Sequence, residues 1–207
     1  MIDFINRYKD IFYFKSLEMQ LKDCSSVLDV GCGSDSPLSK VKKSFKSHGV
    51  DGHKPSIERS RKNHIHDSYT FGNLTKLDTL FKPKSFDAVI ALDVIEHFEK
   101  KDSLLFIKKL EKIASKKVIL LTPNGFYAQD GYDSNPYQIH KSGWSNDDLT
   151  DLGYTVYGLR GLKWIRGDYA TIRYQPWIIW GLISFISEPL LYFFPNLSYD
   201  LFAIKEM

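Results

Sequence analysis

The sequence predicts an α/β protein built on a doubly wound parallel sheet with helices on both faces. Short runs of β-branched and aliphatic residues alternate with helical stretches five times in succession, which is the pattern of such sheets. Glycine and polar residues follow these runs at their carboxyl ends, where sheets of this kind bind ligands. A chain of 207 residues fits one such domain with a substantial core.

The strand at Val27–Val30 and the turn after it are central to this prediction. Gly31 and Gly33 lack a Cβ, so the backbone can turn sharply there and approach a ligand closely. Cys32 fits between them as a small side chain. We expect a helix over residues 36–46 to follow, and its N-terminus and the turn would together form a cradle for a cofactor.

The spacing of the turn indicates which cofactor it holds. A dinucleotide fingerprint requires a third glycine, and Ser36 occupies that position. Instead, an acid, Asp29, stands two residues before the first glycine. Its carboxylate suits a ligand with a cationic ammonium group better than a ligand with a second phosphate.

Polar residues follow the next strands in the same way. Asp51 ends the second strand, where a carboxylate can accept hydrogen bonds from two ribose hydroxyls, and a turn or cap residue is the alternative. Asn73 follows the third strand, and Asp93 ends the fourth. The candidate cofactor-binding residues are Asp29, Gly31, Cys32, Gly33, Asp51, Gly52, Asn73, Leu74, Leu92 and Asp93.

Two segments resemble motifs of a known family. The Asp-x-Gly-x-Gly pattern at Asp29–Gly33 resembles motif I of the class I S-adenosylmethionine-dependent methyltransferases, and Asp93–His97 resembles motif IV. The resemblance is to the type 11, ubiquinone-biosynthesis-like branch of small-molecule enzymes. It implies S-adenosylmethionine as cofactor, S-adenosylhomocysteine as product, and a seven-stranded Rossmann-like sheet with an antiparallel last strand. Asn73 and Leu74 would flank the adenine, although an acid is usual at the position of Asn73, where an ordinary turn residue is the alternative.

The loop over Gly125–Gly143 follows the fifth strand on the ligand side, and long irregular loops of this kind are usually functional. We expect His140 to be the base that takes a proton from the acceptor. The alternative is a histidine that ties the loop by hydrogen bonds. His97 is the second candidate for the catalytic base. Side chains that would position the acceptor or wall its pocket are Tyr127, Tyr132 and Trp144.

Asp93, Glu96 and His97 allow a second chemistry. Their spacing resembles the metal-binding pattern of some ubiquinone-pathway and small-RNA methyltransferases, which carry Glu where this chain has Asp93. Many members of the family have such a segment without a metal role. We therefore predict no metal and keep Asp93 and Glu96 as further candidate bases.

Two segments of the chain lie outside the alternating pattern of strands and helices. Residues 1–22 predict an amphipathic leading helix, and residues 160–197 form an insertion between the last two strands. The insertion is apolar over 177–194 but is slightly short for a spanning helix and contains Pro189, so we predict no transmembrane helix. The alternatives are a lid packed on the core, a membrane-surface foot over 176–195 for a lipid-linked substrate, and a homodimer interface.

We expect methylation of a small-molecule or lipid-linked acceptor, at oxygen, by in-line transfer. The alternatives are a non-catalytic S-adenosylmethionine-binding protein and, disfavoured by Ser36, a nicotinamide-dependent oxidoreductase. A net charge of +3 without a separate basic module argues against nucleic acid as a partner. Two cysteines form no disulfide framework, and charged residues near the N-terminus exclude a secretory signal, so we expect a cytoplasmic protein, free or peripheral to the membrane.

Overall fold

The computed structural model describes residues 10–131, 135–167 and 170–207, and its centre is a seven-stranded sheet. The strands are β1 Ser26–Val30, β2 Lys46–Asp51, β3 Ser68–Phe71, β4 Phe86–Leu92, β5 Ala114–Pro123, β6 Thr155–Leu162 and β7 Ser198–Glu206. The helices are α1 Ile11–Leu21, α2 Lys54–Lys62, α3 Leu77–Leu80, α4 Lys100–Ile113, α5 Asn146–Asp151 and α6 Trp177–Leu191.

The strand order is β3-β2-β1-β4-β5-β7-β6. Strands β1 to β5 run parallel, and β7 is antiparallel to both of its neighbours. The direction of winding reverses between β1 and β4, so the carboxyl ends of these adjacent strands open a crevice for a ligand. The doubly wound class and the antiparallel last strand are both confirmed.

Helices and loops cover both faces of the sheet and bury a core on each. On one face α4 packs Phe106, Ile107 and Leu110 against the central strands. On the other face α1 packs Tyr13 and Leu17. Because the central strands are buried on both faces, they read in the sequence as nearly continuous apolar runs, which is why they could be predicted.

The predicted helix over 36–46 is wrong. The chain makes a single 3-10 turn at Pro37–Ser39 and then runs irregularly to β2, whose first residue, Lys46, pairs with Ser26. The glycine turn takes up 31–35, and the chain covers the ten residues that remain before β2 with this one short turn and irregular structure. The buried apolar residues of this segment, at helix-like spacing, are Leu38, Val41 and Phe45.

The second half of the predicted leading helix is present as α1. Tyr13, Leu17 and Leu21 on its inner face are almost completely buried. Residues 1–9 of the prediction lie outside the described residues.

The insertion between β6 and β7 contains α6, and two glycines of β6 let this helix lie directly against the strand. A Cβ on Gly158 would collide with the Leu191 carbonyl, and one on Gly161 would collide with Ser184. These contacts set β6 and α6 antiparallel to each other. None of the described helices combines the length and the apolar character needed to cross a membrane.

Candidate active site

The glycine turn after β1 has the conformation that its sequence predicts. Gly31 and Gly33 have φ of +75° and +55°, in the left-handed region that favours glycine. The N–H groups of Gly31 and Cys32 donate to the Val50 carbonyl at 2.8 and 3.2 Å, which ties the turn to β2. A Cβ on Gly31 would lie 2.6 Å from Val94 Cγ2. Burial raises the pKa of the Cys32 thiol, as expected for a neutral filler.

Asp29 is buried behind this turn. Its Oδ2 accepts a hydrogen bond from Ser36 Oγ at 2.5 Å and lies 2.9 Å from His66 Nε2. Ser36 Oγ in turn accepts the N–H of Leu38 and so begins the 3-10 turn. Sequence reasoning missed His66, because nothing in the local sequence marks a residue just before β3 as the partner of an acid on β1.

Two other predicted residues already have backbone partners. Asp51 accepts the N–H of Gly33 at 2.9 Å and the N–H of His53 at 2.7 Å, one on each carboxylate oxygen, and burial raises its pKa. Asn73 Oδ1 accepts the N–H and the hydroxyl of Thr75, each at 2.9 Å. The Asn73 carbonyl oxygen therefore caps a turn, and a contact of this residue with adenine remains a prediction.

Two adjoining cavities extend along the carboxyl ends of β1, β2 and β4, and we call them together the cofactor cleft. One, of about 390 Å³, follows the glycine turn, and the other, of about 350 Å³, continues past the end of β2. Gly31 and Asp93 line both. The predicted cofactor-binding residues all line the cleft: Asp29, Gly31, Cys32, Gly33, Asp51, Gly52, Asn73, Leu74, Leu92 and Asp93.

A cluster of charges stands at the inner end of the cleft. Arg160 of β6 lies with Nη1 2.7 Å from Asp200 Oδ2 and 3.7 Å from Asp93 Oδ2, and with Nε 3.4 Å from Asp10 Oδ1. Asp200 is completely buried and accepts no well-aligned hydrogen bond from the described residues. Burial raises its pKa to about 7, although Arg160 opposes this shift.

Sequence reasoning missed Arg160 as a site residue, since it grouped this arginine with the basic insertion. Arg160 has a left-handed φ of +59° next to Gly161, which aims its side chain at the cleft. Asp93 is also left-handed, with φ of +56°, as it leaves β4. Non-glycine residues in this conformation are uncommon and cluster at functional sites.

A third cavity, of about 270 Å³, adjoins the cofactor cleft at Asp93, and we call it the acceptor pocket. His97 and Arg160 each line this pocket and part of the cleft. The pocket is lined by Asp93, Glu96, His97, Pro123, Tyr127, Ala128, Gln129, Gln138, His140, Arg160, Ala170, Tyr199 and Asp200.

The two predicted histidines meet in this pocket, with ring centroids 4.9 Å apart. His140 Nδ1 is 2.8 Å from the Tyr127 carbonyl, and His97 Nδ1 is 3.2 Å from the Ile139 carbonyl. Because a carbonyl only accepts hydrogen bonds, Nδ1 carries the proton in both neutral rings and each Nε2 is a proton acceptor. Burial and the neighbouring His140 lower the pKa of His97 to about 4.

Glu96 lies beneath the histidines and is almost completely buried. Its Oε2 accepts the Thr122 hydroxyl at 3.1 Å, whereas Oε1 has no hydrogen-bond partner among the described residues. Burial and the charge of Asp93 raise its pKa well above the usual value. Ligand atoms of Glu96, His97 and His140 lie within 4.8 Å of one another. The structure thus groups Glu96 and His97 with His140, whereas the resemblance grouped them with Asp93.

The loop over 125–143 is held at both ends by main-chain hydrogen bonds. At its start, the N–H of Gly125 donates to the Trp144 carbonyl at 2.7 Å. At its end, the N–H of Lys141 donates to the Glu96 carbonyl at 2.8 Å. The aromatic and polar residues between these ends form one wall of the acceptor pocket.

The prediction that Trp144 walls the pocket is wrong. Its backbone pairs with Gly125 at the end of β5, which turns the indole inward, and the side chain is only 1% exposed in the core. Tyr127 does line the pocket and packs against Tyr199, with ring centroids 4.9 Å apart. Tyr132 lies outside the described residues.

Residues 28–125 match the family model described as a methyltransferase domain. The match includes the glycine turn and the Asp93–His97 segment, which carry the sequence motifs of the family. These residues form a class I S-adenosylmethionine-dependent methyltransferase domain. S-adenosylmethionine is therefore its cofactor.

One curated relative of this methyltransferase domain is the (S)-tetrahydroprotoberberine N-methyltransferase of Eschscholzia californica. The two are 23% identical over 171 residues, which make up 79% of this chain and 47% of the relative. The chain thus spans about half the length of the curated relative that it matches.

Solved structures share the fold. The methyltransferase domain of bacterial CtHen1-CN is 20% identical with a TM-score of 0.59, and the alignment covers 97% of this chain and 99% of that one. The magnesium protoporphyrin IX methyltransferase of Synechocystis PCC 6803, solved with S-adenosylmethionine bound, is 17% identical with a TM-score of 0.54 and coverages of 96% and 81%.

The cofactor cleft fits S-adenosylmethionine on its own geometry. The Asp51 carboxylate lines the cleft together with the apolar side chains of Leu74, Val94 and Phe98, a mixture of acceptors and apolar surface that suits a nucleoside. The contact of Asp51 with a ribose stays a prediction. A Cβ added to Gly33 would meet nothing within 4 Å, so the turn leaves space beside its backbone for a ligand.

Proposed function

We propose that this methyltransferase domain methylates an oxygen atom of a small-molecule acceptor, with His140 as the general base. The observation that carries the proposal is the contact of His140 Nδ1 with the Tyr127 carbonyl, which leaves Nε2 as the accepting nitrogen of the ring in a pocket that adjoins the cofactor cleft. When bound, S-adenosylmethionine supplies an activated methyl group for in-line displacement. The acceptor pocket, of about 270 Å³, suits a small molecule.

The protein's own residues move one proton. His140 Nε2 takes it from the acceptor hydroxyl as that oxygen forms its bond to the methyl carbon. The imidazolium that results keeps its Nδ1–H on the Tyr127 carbonyl and faces the Asp93 carboxylate, whose charge stabilises it. His97 is the weaker base, because its pKa is lowered to about 4.

The presence of a base favours oxygen over nitrogen as the methylated atom. A hydroxyl has to lose its proton during the transfer, whereas a neutral amine attacks first and loses its proton afterwards. The names of the relatives support a small-molecule acceptor, since one acts on a protoberberine and another on a magnesium porphyrin. The first of these is an N-methyltransferase, so the acceptor panel has to include amines.

The test compares His140→Ala with His97→Ala as a matched control. Calorimetric titration with S-adenosylmethionine should show wild-type affinity in His140→Ala, because His140 lines only the acceptor pocket, whereas His97→Ala removes a side chain that also lines the cleft and should weaken binding. Turnover is therefore compared at saturating cofactor. With a panel of soluble phenols, carboxylic acids and amines, His140→Ala should lower kcat by about 100-fold, while His97→Ala lowers it by less than about tenfold.

Acceptors with acidic hydroxyls and added imidazole should both restore turnover to His140→Ala. Equal losses in the two variants would contradict the assignment of the base. Tight cofactor binding without turnover on any acceptor would instead favour a non-catalytic S-adenosylmethionine-binding protein.

A second role for the same side chains is supported by the buried Oε1 of Glu96, which has no partner among the described residues. Glu96, His97 and His140 together offer one carboxylate and two imidazole ligands, a set suited to a divalent transition-metal ion. Such an ion supplies Lewis acidity that lowers the pKa of a bound hydroxyl. Metal binding would also neutralise the cost of burying Glu96 as an anion.

Thermal unfolding in the presence of Mn²⁺ or Zn²⁺ distinguishes the two roles without an acceptor. If the three residues bind metal, the ion should raise the Tm of the wild type and leave Glu96→Gln and His140→Ala unchanged. A Tm that does not respond to either ion, together with turnover in the presence of a chelator, would leave His140 as a simple base.

A further inference from the structure

Helix α6 has one buried face and one exposed face, and the exposed face is wholly apolar. The buried face consists of Gly181, Ser184, Glu188 and Leu191, which hold the helix on β6. On the exposed face, side chains at a spacing of three and four residues are between 40% and 65% exposed. They are Ile179, Leu182, Ile183, Ile186 and Leu190.

The apolar surface continues past the end of α6. Phe193 and Phe194 are 71% and 53% exposed. With the five exposed residues of the helix they form what we call the apolar ridge. Exposed apolar side chains grouped on one face in this way mark sites of protein or membrane contact.

The apolar ridge contains no charge. Glu188 is the single charged residue between 174 and 199, and it is 2% exposed and turned inward, where it accepts the N–H of Arg160 at 2.9 Å. Removing the ridge from water therefore requires no desolvation of a charged group.

Amphipathic and basic side chains flank one end of the ridge. Trp164 and Tyr174 are 57% and 47% exposed, and Tyr174 packs on Trp180 of the first helical turn, with ring centroids 5.1 Å apart. Arg173 is exposed and Lys163 is half-buried, and neither has an ion-pair partner within the described part of the chain. Aromatic rings with a polar edge and long basic side chains are typical of the headgroup level of a membrane.

We propose that the apolar ridge docks this protein on the surface of an anionic lipid bilayer. The helix has 15 residues and a length of roughly 22 Å, which is shorter than the bilayer core of about 30 Å. It lies in the plane of the surface, with the ridge among the acyl chains and Arg173 and Lys163 on the headgroup phosphates. This inference is independent of the proposed reaction, because docking needs neither cofactor nor acceptor.

The charges of the flanking residues favour a lipid surface over a second copy of the chain. Contact between two copies related by a two-fold axis is self-complementary, so the positive residues of one rim would meet only the apolar ridge or the positive rim of the other. Anionic headgroups offer the matching charge at the depth where Trp164 and Tyr174 would lie.

The inner face of α6 is linked to the acceptor pocket through Arg166. Ser184 Oγ on the inner face of α6 accepts a hydrogen bond from Arg166 Nη2 at 3.2 Å, and Arg166 Nη1 donates to the Ala170 carbonyl at 2.8 Å. Ala170 lines the acceptor pocket. The bilayer therefore lies one helix away from the pocket wall.

Co-sedimentation with phosphatidylcholine vesicles, with and without phosphatidylglycerol, tests the proposal. The wild type should bind vesicles that contain phosphatidylglycerol and release them at high salt. Ile186→Glu combined with Leu190→Glu should lower the partition coefficient at least about tenfold. Leu105→Glu, which places one such charge on the 53% exposed Leu105 of α4, is the control for a glutamate outside the ridge and should bind like the wild type.

Further arms separate lipid from other occupants. Lys163→Gln with Arg173→Gln should weaken binding to the anionic vesicles and leave the weaker binding to neutral vesicles unchanged. Calorimetric affinity for S-adenosylmethionine, expected to be equal in all variants, verifies that each variant is folded. The proposal fails if the wild type binds neither kind of vesicle, or if the double glutamate variant binds as well as Leu105→Glu. A dimer in sedimentation equilibrium that the double variant dissociates, without vesicle binding, would assign the ridge to a second copy.

Discussion

The cofactor cleft and the acceptor pocket share a wall at Asp93 but are built from different groups. In the cleft, main-chain N–H groups and strand ends define the shape, and Asp51 is fixed by backbone donors. In the acceptor pocket and the insertion beside it, buried ionisable side chains hold the structure together. The Arg160 guanidinium pairs with Asp200, and the Arg160 N–H donates to the Glu188 carboxylate. Backbone dipoles do not titrate, whereas buried carboxyl groups do. Burial raises the pKa of Asp51 in the cleft as well, but in the acceptor half it brings the pKa values of Asp200 and Glu188 to about 7. The acceptor half should therefore respond more strongly to pH near neutrality and to loss of charge.

The largest loss of stability is expected for Arg160→Met, which removes a positive charge from the acceptor half. It would leave Asp200 buried without its cation, and removing one partner of a buried pair costs about 3–5 kcal/mol. Urea unfolding should show this loss as a decrease in the free energy of unfolding. The decrease should be larger at pH 8 than at pH 6. The reason is that the pKa of Asp200 is already about 7 with the arginine in place.

A double variant is the control for that loss. Arg160→Met with Asp200→Asn removes the charge that the single variant strands, so it should be more stable than Arg160→Met alone. If the double variant is instead less stable than the single, the buried pair is not the source of the effect.

The second prediction concerns the pH dependence carried by Glu188. Burial raises its pKa to about 7 in the folded protein, against about 4.3 in an unfolded chain. Between these values the folded state holds a proton that the unfolded state has released, so stability falls as the pH rises from about 4.3 to about 7. Glu188→Gln keeps the acceptor for the Arg160 N–H and should be more stable than the wild type at pH 8, by up to about 3 kcal/mol, and equal to it near pH 4.5.

Asp148 provides a control, because its contribution to stability should change with pH in the direction opposite to that of Glu188. Despite partial burial, hydrogen bonds from Lys100 and Ser145 lower its pKa, so its contribution to stability is present at neutral pH and lost as the pH falls. Asp148→Asn should therefore destabilise the protein at pH 7. Parallel pH profiles for the two variants would show that Glu188 is not the titrating group.

The smallest of the three effects tests the cofactor half. Gly31→Ala puts a Cβ 2.6 Å from Val94 Cγ2 at a φ of +75°, and the backbone must shift to relieve both strains. We expect the affinity for S-adenosylmethionine to fall about thirtyfold, or about 2 kcal/mol, by calorimetry, with little dependence on pH between 6 and 8.

Gly153→Ala is the matched control for this substitution. Its φ of +85° is equally unfavourable for alanine, but it follows α5, away from the cleft, with Lys205 Cε at 3.5 Å from the added Cβ. It should lower stability by about 1 kcal/mol and leave cofactor affinity unchanged. Equal losses of affinity in the two variants would mean that general destabilisation, not the shape of the turn, weakens binding.

The same contrast explains what could be predicted from the sequence. The cofactor half could be predicted from the sequence because its residues are determined locally, by strand patterning and by the conformations that glycine allows. They are Val27–Val30, Gly31, Gly33 and Asp51. The error there, a helix over 36–46, arose because apolar residues at helix-like spacing report which side chains are buried, and Leu38, Val41 and Phe45 are buried without a helix.

In the acceptor half local patterns were insufficient. Arg160 and Asp200 are brought together by antiparallel pairing of β6 with β7. The cofactor half has one such long-range contact that was also missed, because His66 reaches Asp29 across the sheet. Trp144 follows His140 closely in the sequence, yet its backbone bridges to Asn124 and Gly125 and its side chain lies in the core. The pocket residues that the sequence did indicate all lie in the segments that follow β4 and β5: Asp93, Glu96, His97, Tyr127 and His140.

The two-ended attachment of the loop over 125–143 has a consequence for divergence among proteins of this fold. Its ends are held by main-chain hydrogen bonds, at Gly125 and at Lys141, which do not depend on the identity of the side chains between them. The intervening residues can therefore change in sequence and length without moving the strands that bind the methyl donor. A change of substrate range requires the exchange of one short surface segment, which is a smaller evolutionary step than remodelling a core.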